Sequence, residues 1–396
     1  MVIDSKPPDF KLRFGEINID AIYVHIPFCL KKCYYCDFVS YPLEDLPIKE
    51  YCQALVSEGK MYHKLITKEQ KKIRSIYIGG GTPTCLPAEY LVDMLNELGI
   101  MFPLDQGGEI TVECNPQTVD QAYLERLQRA GVNRLSIGAQ SFDPGLLKDM
   151  GRIHSVQDIF KTIDHARKAG FTNISLDLIY GLPHQTIDQW SDTLKEAVSL
   201  PVMHLSVYGL KLSEQSSWGK RYLEGSLTLP DDEISAEMQE LAMDYLEGQG
   251  FVHYEIANFS RPGFFSVHNR VYWNNENYLG LGIAAASHFA NYRKTNTGSL
   301  TDYISDLNRG RFPEAEWETL NRETEMAETI FLGLRLLDGL SFEAFEKRFG
   351  IDFCHRYEKQ LGKLKGLGLV EHDQERIRLT KKGIFLANEV FVEFLP

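Results

Sequence analysis

Three cysteines, Cys29, Cys33 and Cys36, fall within eight residues with the spacing C-x3-C-x2-C. Thiolates set this closely can face one centre, and soft sulfur donors select zinc or an iron–sulfur cluster. Structural zinc commonly takes four ligands in two separated pairs. No second pair follows here, and the next cysteine, Cys52, sits in a helical pattern. A four-iron cluster held by three cysteines leaves one iron open. An open iron can chelate the amino and carboxylate groups of S-adenosylmethionine, and one electron then cleaves the sulfonium to a 5′-deoxyadenosyl radical. The plainer alternatives are a trio of buried cysteines or a zinc knuckle. Cys52, Cys85, Cys114 and Cys354 read as packing residues. An odd total of seven cysteines in 396 residues argues against a disulfide framework.

Other residues with chemical capacity lie at the ends of apolar runs. Glu113 closes EITVE, and Asp177 interrupts ISLDLIYG, where a charge is costly unless paired; Arg152 is one candidate partner. Gly79-Gly80-Gly81-Thr82-Pro83 follows another run, and glycines let a backbone approach a ligand closely. By itself the glycine run also reads as a turn.

These residues need a frame to bring them together. Short β-type runs occur at 21–28, 75–81, 109–116, 134–140, 173–181 and 204–210. Segments of helical periodicity separate them, as in PAEYLVDMLNELG, where Leu91, Met94 and Leu95 recur at helical spacing. Such alternation implies an α/β fold with parallel strands and crossover helices, and the apolar strands suggest burial on both faces. Six units are too few for an eight-fold barrel. A partial (β/α)6 barrel or a doubly wound sheet fits, with chemistry at the C-terminal strand ends. We expect an arm over 1–20, the partial barrel over 21–215, an extension packed on it over 216–322, and a separate unit over 323–396. In that last unit three helices, one capped by Ser341, precede a hairpin, which predicts a winged-helix-like domain.

Composition bounds the partners. Apolar residues make up 43% and charged residues 24%, an ordinary globular balance. Lys and Arg number 42 against 55 Asp and Glu, a net charge of -13, which argues against broad charge-driven nucleic-acid binding. A cluster-bearing nucleic-acid-binding module is still an alternative of another class, resting on Arg356, Lys359, Lys363 and Lys365 in the third C-terminal helix. No apolar run approaches the roughly 20 residues of a spanning helix. The segment MVIDSKPPDF lacks a secretory pattern, so a cytoplasmic protein is expected, with at most peripheral membrane association.

The cysteine loop, with an aromatic before its last cysteine, resembles the radical S-adenosylmethionine superfamily. YVHIPFC, GGGTP, SIGAQSF and DLIYGLP together resemble one branch, the oxygen-independent coproporphyrinogen III oxidases and the HemW-type heme chaperones. The resemblance covers about residues 21–290 and extends toward the C-terminal domain. It implies that Cys29, Cys33 and Cys36 bind a 4Fe–4S cluster. It also implies that Tyr23, Tyr35, Gly80, Gly81, Thr82, Glu113, Gln140, Arg152 and Asp177 contact S-adenosylmethionine. Lys211 and Ala286 match further contact positions more loosely.

Two departures separate the branches. The oxidases resemble C-x3-C-x2-C-x-C, and Phe38 stands where their further cysteine would be. They also carry a longer N-terminal covering segment, whereas 28 residues precede Cys29 here. The chaperone branch carries an H-N-x-x-Y-W motif, present as His268 to Trp273. His268 could ligate heme iron, although a satisfied histidine in a packed helix is the plainer reading. The resemblance therefore implies a heme chaperone that carries heme as cargo to apo-cytochromes of respiratory enzymes and takes electrons from a donor. Coproporphyrinogen III oxidation is the runner-up.

Overall fold

The computed structural model describes residues 14–44, 46–66 and 70–396. Six strands, β1 (Ala21–Ile26), β2 (Ile73–Gly80), β3 (Leu104–Cys114), β4 (Arg134–Gln140), β5 (Asn173–Tyr180) and β6 (His204–Gly209), pair in parallel and in chain order. Parallel neighbours need long crossovers. These carry α1 (Ile48–His63), α2 (Ala88–Met101), α3 (Gln121–Arg129), α4 (Val156–Lys168) and α5 (Ile187–Ser199). Local signals start the helices. The Asp120 side chain accepts from the Tyr123 N–H, and Ser155 and Thr186 form capping boxes with Asp158 and Gln189. Gly131, just beyond α3, takes a φ of +96°, which stops the helix at little steric cost.

Side chains alternate across a strand. Ile76, Ile78, Leu135, Ile137, Leu176 and Leu178 are buried in one core with Leu91, Leu95 and Ile159 from the helices. The opposite face is polar: Tyr77, Glu113, Ser136, Asp177 and Ser206 line a cavity inside the curved sheet. The expectation of strands apolar on both faces therefore holds for the helix-facing side alone. The inner side is filled in part by a helix, α6 (Val267–Trp273), which packs against β2 and β3. The backbone N–H groups of Val267 and His268 donate to the Glu109 carboxylate, anchoring the helix N-terminus to β3.

The segment after β6 does more than pack on the barrel. β7 (Val252–Glu255) and β8 (Asn258–Ser260) continue the sheet beyond β6, with β8 antiparallel to it. β9 (Tyr278–Leu281) pairs in parallel with β1, and β10 (Ala286–Phe289), β11 (Tyr292–Asn296) and β12 (Ala315–Thr319) extend that edge. The result is one twelve-stranded sheet among the described residues. An incomplete barrel leaves two edges of unpaired backbone groups, and these added strands pair both.

Residues 1–13 of the expected arm lie outside the described residues. Phe14 and Ile19 are buried, and the Phe14 ring meets Tyr62 and Phe289. At the C-terminal end, helices Arg322–Gly333, Phe342–Phe349 and Glu358–Gly366 combine with a small antiparallel sheet of Leu340–Ser341, Val370–His372 and Arg376–Leu379. Ser341 caps its helix by accepting from the Ala344 N–H. This unit is tied to the rest by Arg348 donating to the Asn275 carbonyl and by Lys381 between Glu240 and Asp244. Two cations of its third helix or just before it are paired, Arg356 with Glu323 and Lys363 with Glu393.

Candidate functional site

The cysteine loop begins where β1 ends. Phe28–Cys29 pairs with Tyr41–Pro42, which closes the loop on itself. Gly81 lets the loop lie against the end of β2: a Cβ there would meet the Phe28 carbonyl oxygen at 2.6 Å and Cys29 Sγ at 3.0 Å. On the outer side the Tyr34 N–H donates to the Met150 carbonyl, and its own carbonyl accepts from the Trp218 N–H. Cys29, Cys33 and Cys36 all line one cavity of about 440 Å³.

Burial raises the Cys29 thiol and pushes Cys36 up to about 11, with the neighbouring thiols adding to both shifts. A soft metal centre must displace those protons as it binds. A single tetrahedral ion would need its sulfurs about 3.8 Å apart, given metal–sulfur bonds of about 2.3 Å. Among the described residues no group of three or more His, Cys, Asp or Glu side chains is arranged to hold a single metal ion. Three soft thiols around one cavity are a donor set that suits an iron–sulfur cluster.

The C-terminal strand ends supply the rest of the wall. Gly80, Gly81 and Thr82 line the cavity after β2. Thr82 Oγ1 accepts from Asn115 Nδ2 at 2.7 Å and lies 3.7 Å from Cys29 Sγ. Glu113 accepts from the Tyr77 hydroxyl at 2.7 Å and the Gly80 N–H at 3.1 Å. Burial pushes its carboxyl up to about 7, against those hydrogen bonds. Gln140 sits at a register shift between β4 and β5 with a φ of +66°, a strained conformation for a residue with a side chain.

Arg152 binds the loop to the sheet. Its guanidinium donates to Cys33 Sγ at 3.5 Å, Asn115 Oδ1 at 2.5 Å and the Gly138 carbonyl at 2.6 Å. It is therefore not the direct partner of Asp177, which accepts from the Ser136 hydroxyl at 3.1 Å. Burial raises the Asp177 carboxyl. Tyr35, Gln140, Arg152, Asp177 and the exposed Lys211 also line the cavity.

Three expected residues lie elsewhere. Tyr23 is one layer removed, with its hydroxyl on His25 Nδ1 at 3.0 Å and its ring stacked on Tyr77. Ala286 is exposed on β10, two strands beyond β1. His268 is 1% exposed, and both ring nitrogens are engaged: Nδ1 with the Ser75 hydroxyl at 2.9 Å, Nε2 with the Tyr272 hydroxyl at 2.8 Å. Burial lowers its pKa to about 3. Its neighbours Ser266 and Asn269 reach the cavity instead. The inner wall also holds Tyr77, Arg134, Ser136, His204 and Ser206, which sequence reasoning passed over. Their signal was the every-second-residue polarity of SIYIGG, RLSIGAQ and HLSVYG.

The comparisons with known proteins agree with this geometry. The Radical SAM superfamily model matches residues 23–197, and the HemN C-terminal domain model matches 320–386. The chain is 38% identical over 378 residues to the heme chaperone HemW of Bacillus subtilis, covering 95% of this chain and 99% of that protein. The chain belongs to the HemW family. HemW of Lactococcus lactis is 37% identical over 377 residues, covering 95% of this chain and 97% of that one. Among solved structures, coproporphyrinogen III oxidase (HemN) from Escherichia coli superposes with a TM-score of 0.85 at 25% identity, over 99% of this chain and 94% of that one. The HemW relatives thus span the sheet, its edge strands and the C-terminal unit alike. No helix among the described residues is long and apolar enough to cross a membrane.

Proposed function

We propose that this chain is a cytoplasmic heme chaperone, which binds heme and passes it to apo-cytochromes of respiratory enzymes. Its similarity to HemW proteins along nearly their whole length is the observation that carries the reading. The motif His268 to Trp273 and Phe38, in place of the oxidases' further cysteine, support it.

In this reading Cys29, Cys33 and Cys36 hold a 4Fe–4S cluster, and Glu113, Gln140, Arg152 and Asp177 face S-adenosylmethionine, with Tyr35, Gly80, Gly81, Thr82 and Lys211 around it. When bound, the cluster supplies one-electron chemistry at the open end of the cavity. The chain's own residues do the positioning. Arg152 donates to Cys33 Sγ and so holds the cysteine loop against the sheet. Tyr77 and the Gly80 N–H orient the Glu113 carboxylate, which suits a cationic ammonium or sulfonium group. The apolar Trp218 and Tyr35 contact shields the loop from water on one side.

Coproporphyrinogen III oxidation is a second reading, favoured by the close superposition on HemN. Reconstituted protein given coproporphyrinogen III, S-adenosylmethionine and a reductant should form no protoporphyrinogen, while heme titration should show saturable binding. Catalytic turnover to protoporphyrinogen would replace the chaperone reading with the oxidase one.

A further inference from the structure

The cavity changes character from its floor to its mouth. The floor is polar, with Glu113, Arg134 and Asp177. The mouth is apolar and cationic. Phe38, on the cysteine loop, is 61% exposed, and Tyr208 is exposed at the end of β6. Exposed apolar side chains that share the lining of one cavity offer a ligand a surface to lie on. Lys31, Lys32 and Lys211 ring the same opening. None of the three ammonium groups is ion-paired among the described residues, although the chain as a whole is acidic. Lys31 lies 5.6 Å from the centre of the Tyr34 ring, and Lys32 donates to the Phe38 carbonyl at 3.0 Å. Asp37 faces the same opening without forming an ion pair with these lysines.

We propose that this rim is the cargo site: the flat apolar face of heme lies on Phe38, and its two propionate carboxylates meet Lys31 and Lys32. The inference rests on the heme-chaperone reading and gives that reading a location. An apolar ring with carboxylates on one edge matches a rim with that same division, whereas the charged floor would leave the ring beside unpaired polar groups. The site uses the porphyrin's faces and edge, so it does not require His268, whose nitrogens are both occupied. It also sets the cargo against the loop that carries the three cysteines.

The test compares hemin, metal-free protoporphyrin IX and the dimethyl ester of protoporphyrin IX on the reconstituted full chain, by quenching of intrinsic fluorescence. Iron content and cluster absorbance confirm that each variant retains its loop. Metal-free protoporphyrin IX should bind nearly as well as hemin. Phe38→Ser should weaken all three ligands about tenfold, as expected for losing much of a buried phenyl contact. The Lys31→Glu, Lys32→Glu pair should weaken the two dicarboxylate ligands about tenfold or more and leave the ester unchanged. Should charge reversal cost the loop its cluster, Lys31→Met and Lys32→Met give the same comparison with smaller shifts. Bound protoporphyrin should also slow bleaching of the cluster by a chelator. Rim variants that bind hemin like the unaltered chain, while His268→Gln does not, overturn the proposal and leave the chaperone reading standing. Charge reversal that spares porphyrin binding but slows reduction by an acidic electron-donor protein also overturns it, assigning the rim to that donor. If the unaltered chain binds no porphyrin, the chaperone reading itself falls and the rim site with it.

Discussion

Glu58 and Glu113 are both carboxylates withdrawn from bulk water, and the fold treats them in opposite ways. Glu58, on α1, is fully buried in the seam between that helix and the edge strands β9 to β11. It accepts from the Gly282 N–H at 2.9 Å, Asn296 Nδ2 at 2.8 Å and the Tyr303 hydroxyl at 2.6 Å, and Lys294 Nζ lies 3.6 Å away. Glu113 has two donors, Tyr77 and Gly80, and no ion-paired cation among the described residues. Burial lifts its pKa to about 7, with the nearby Asp177 charge adding to the lift. A closed constellation of donors and a counter-ion ties parts of a fold together. A carboxylate left short of positive charge at a cavity wall is prepared for a ligand that brings its own.

The contrast breaks most visibly at Glu58. Glu58→Gln removes the charge opposite a buried ammonium and should destabilise the chain by about 3–5 kcal/mol, read from urea unfolding. In whatever fraction folds, cofactor affinity should stay near that of the unaltered chain. Glu113→Gln should act in the reverse sense. The folded pKa lies above the unfolded value of about 4.3, so the native state binds more protons than the unfolded chain between the two. Stability should therefore fall as pH rises from about 4.5 to about 7, by at most on the order of 3 kcal/mol, since the carboxyl still meets the cavity. The Gln variant should lose that slope, match or exceed the parent in urea at pH 8, and bind S-adenosylmethionine more weakly. A parent whose stability is flat over that interval would show that Glu113 is not held uncompensated. Tyr303→Phe is the mildest of the three. It takes one donor from Glu58 and should cost about 1–2 kcal/mol, without change in cofactor binding.

The sequence made the cysteine loop and the six parallel strands legible, because a short ligand spacing and a strand–helix period are both local patterns. The inner wall was legible in part. Asp177 stood out as a charge in an apolar run, but Ser136, Ser206 and Tyr77 are unremarkable until the pleat puts them on one face with it. Non-local pairing was not legible. Nothing in YLGL announces that it will lie beside β1, over 250 residues earlier, and the same is true of β8 beside β6. The motif at His268 shows a third kind of gap. Its type suggested a ligand, but the chain supplies partners: Tyr272, one helical turn on, and Ser75, from a strand that no spacing rule connects to it.

The edge strands bear on how the protein is made. When the first 209 residues have left the ribosome, the six strands can pair with one another, yet both flanks still present bare backbone. The segments that seal those flanks, and the helix that plugs the interior, emerge only after residue 250. In the proposed reading, a cluster assembled on the nascent loop before that point would sit in a half-walled vessel. Maturation should accordingly follow translation, with a chaperone-prone intermediate in between.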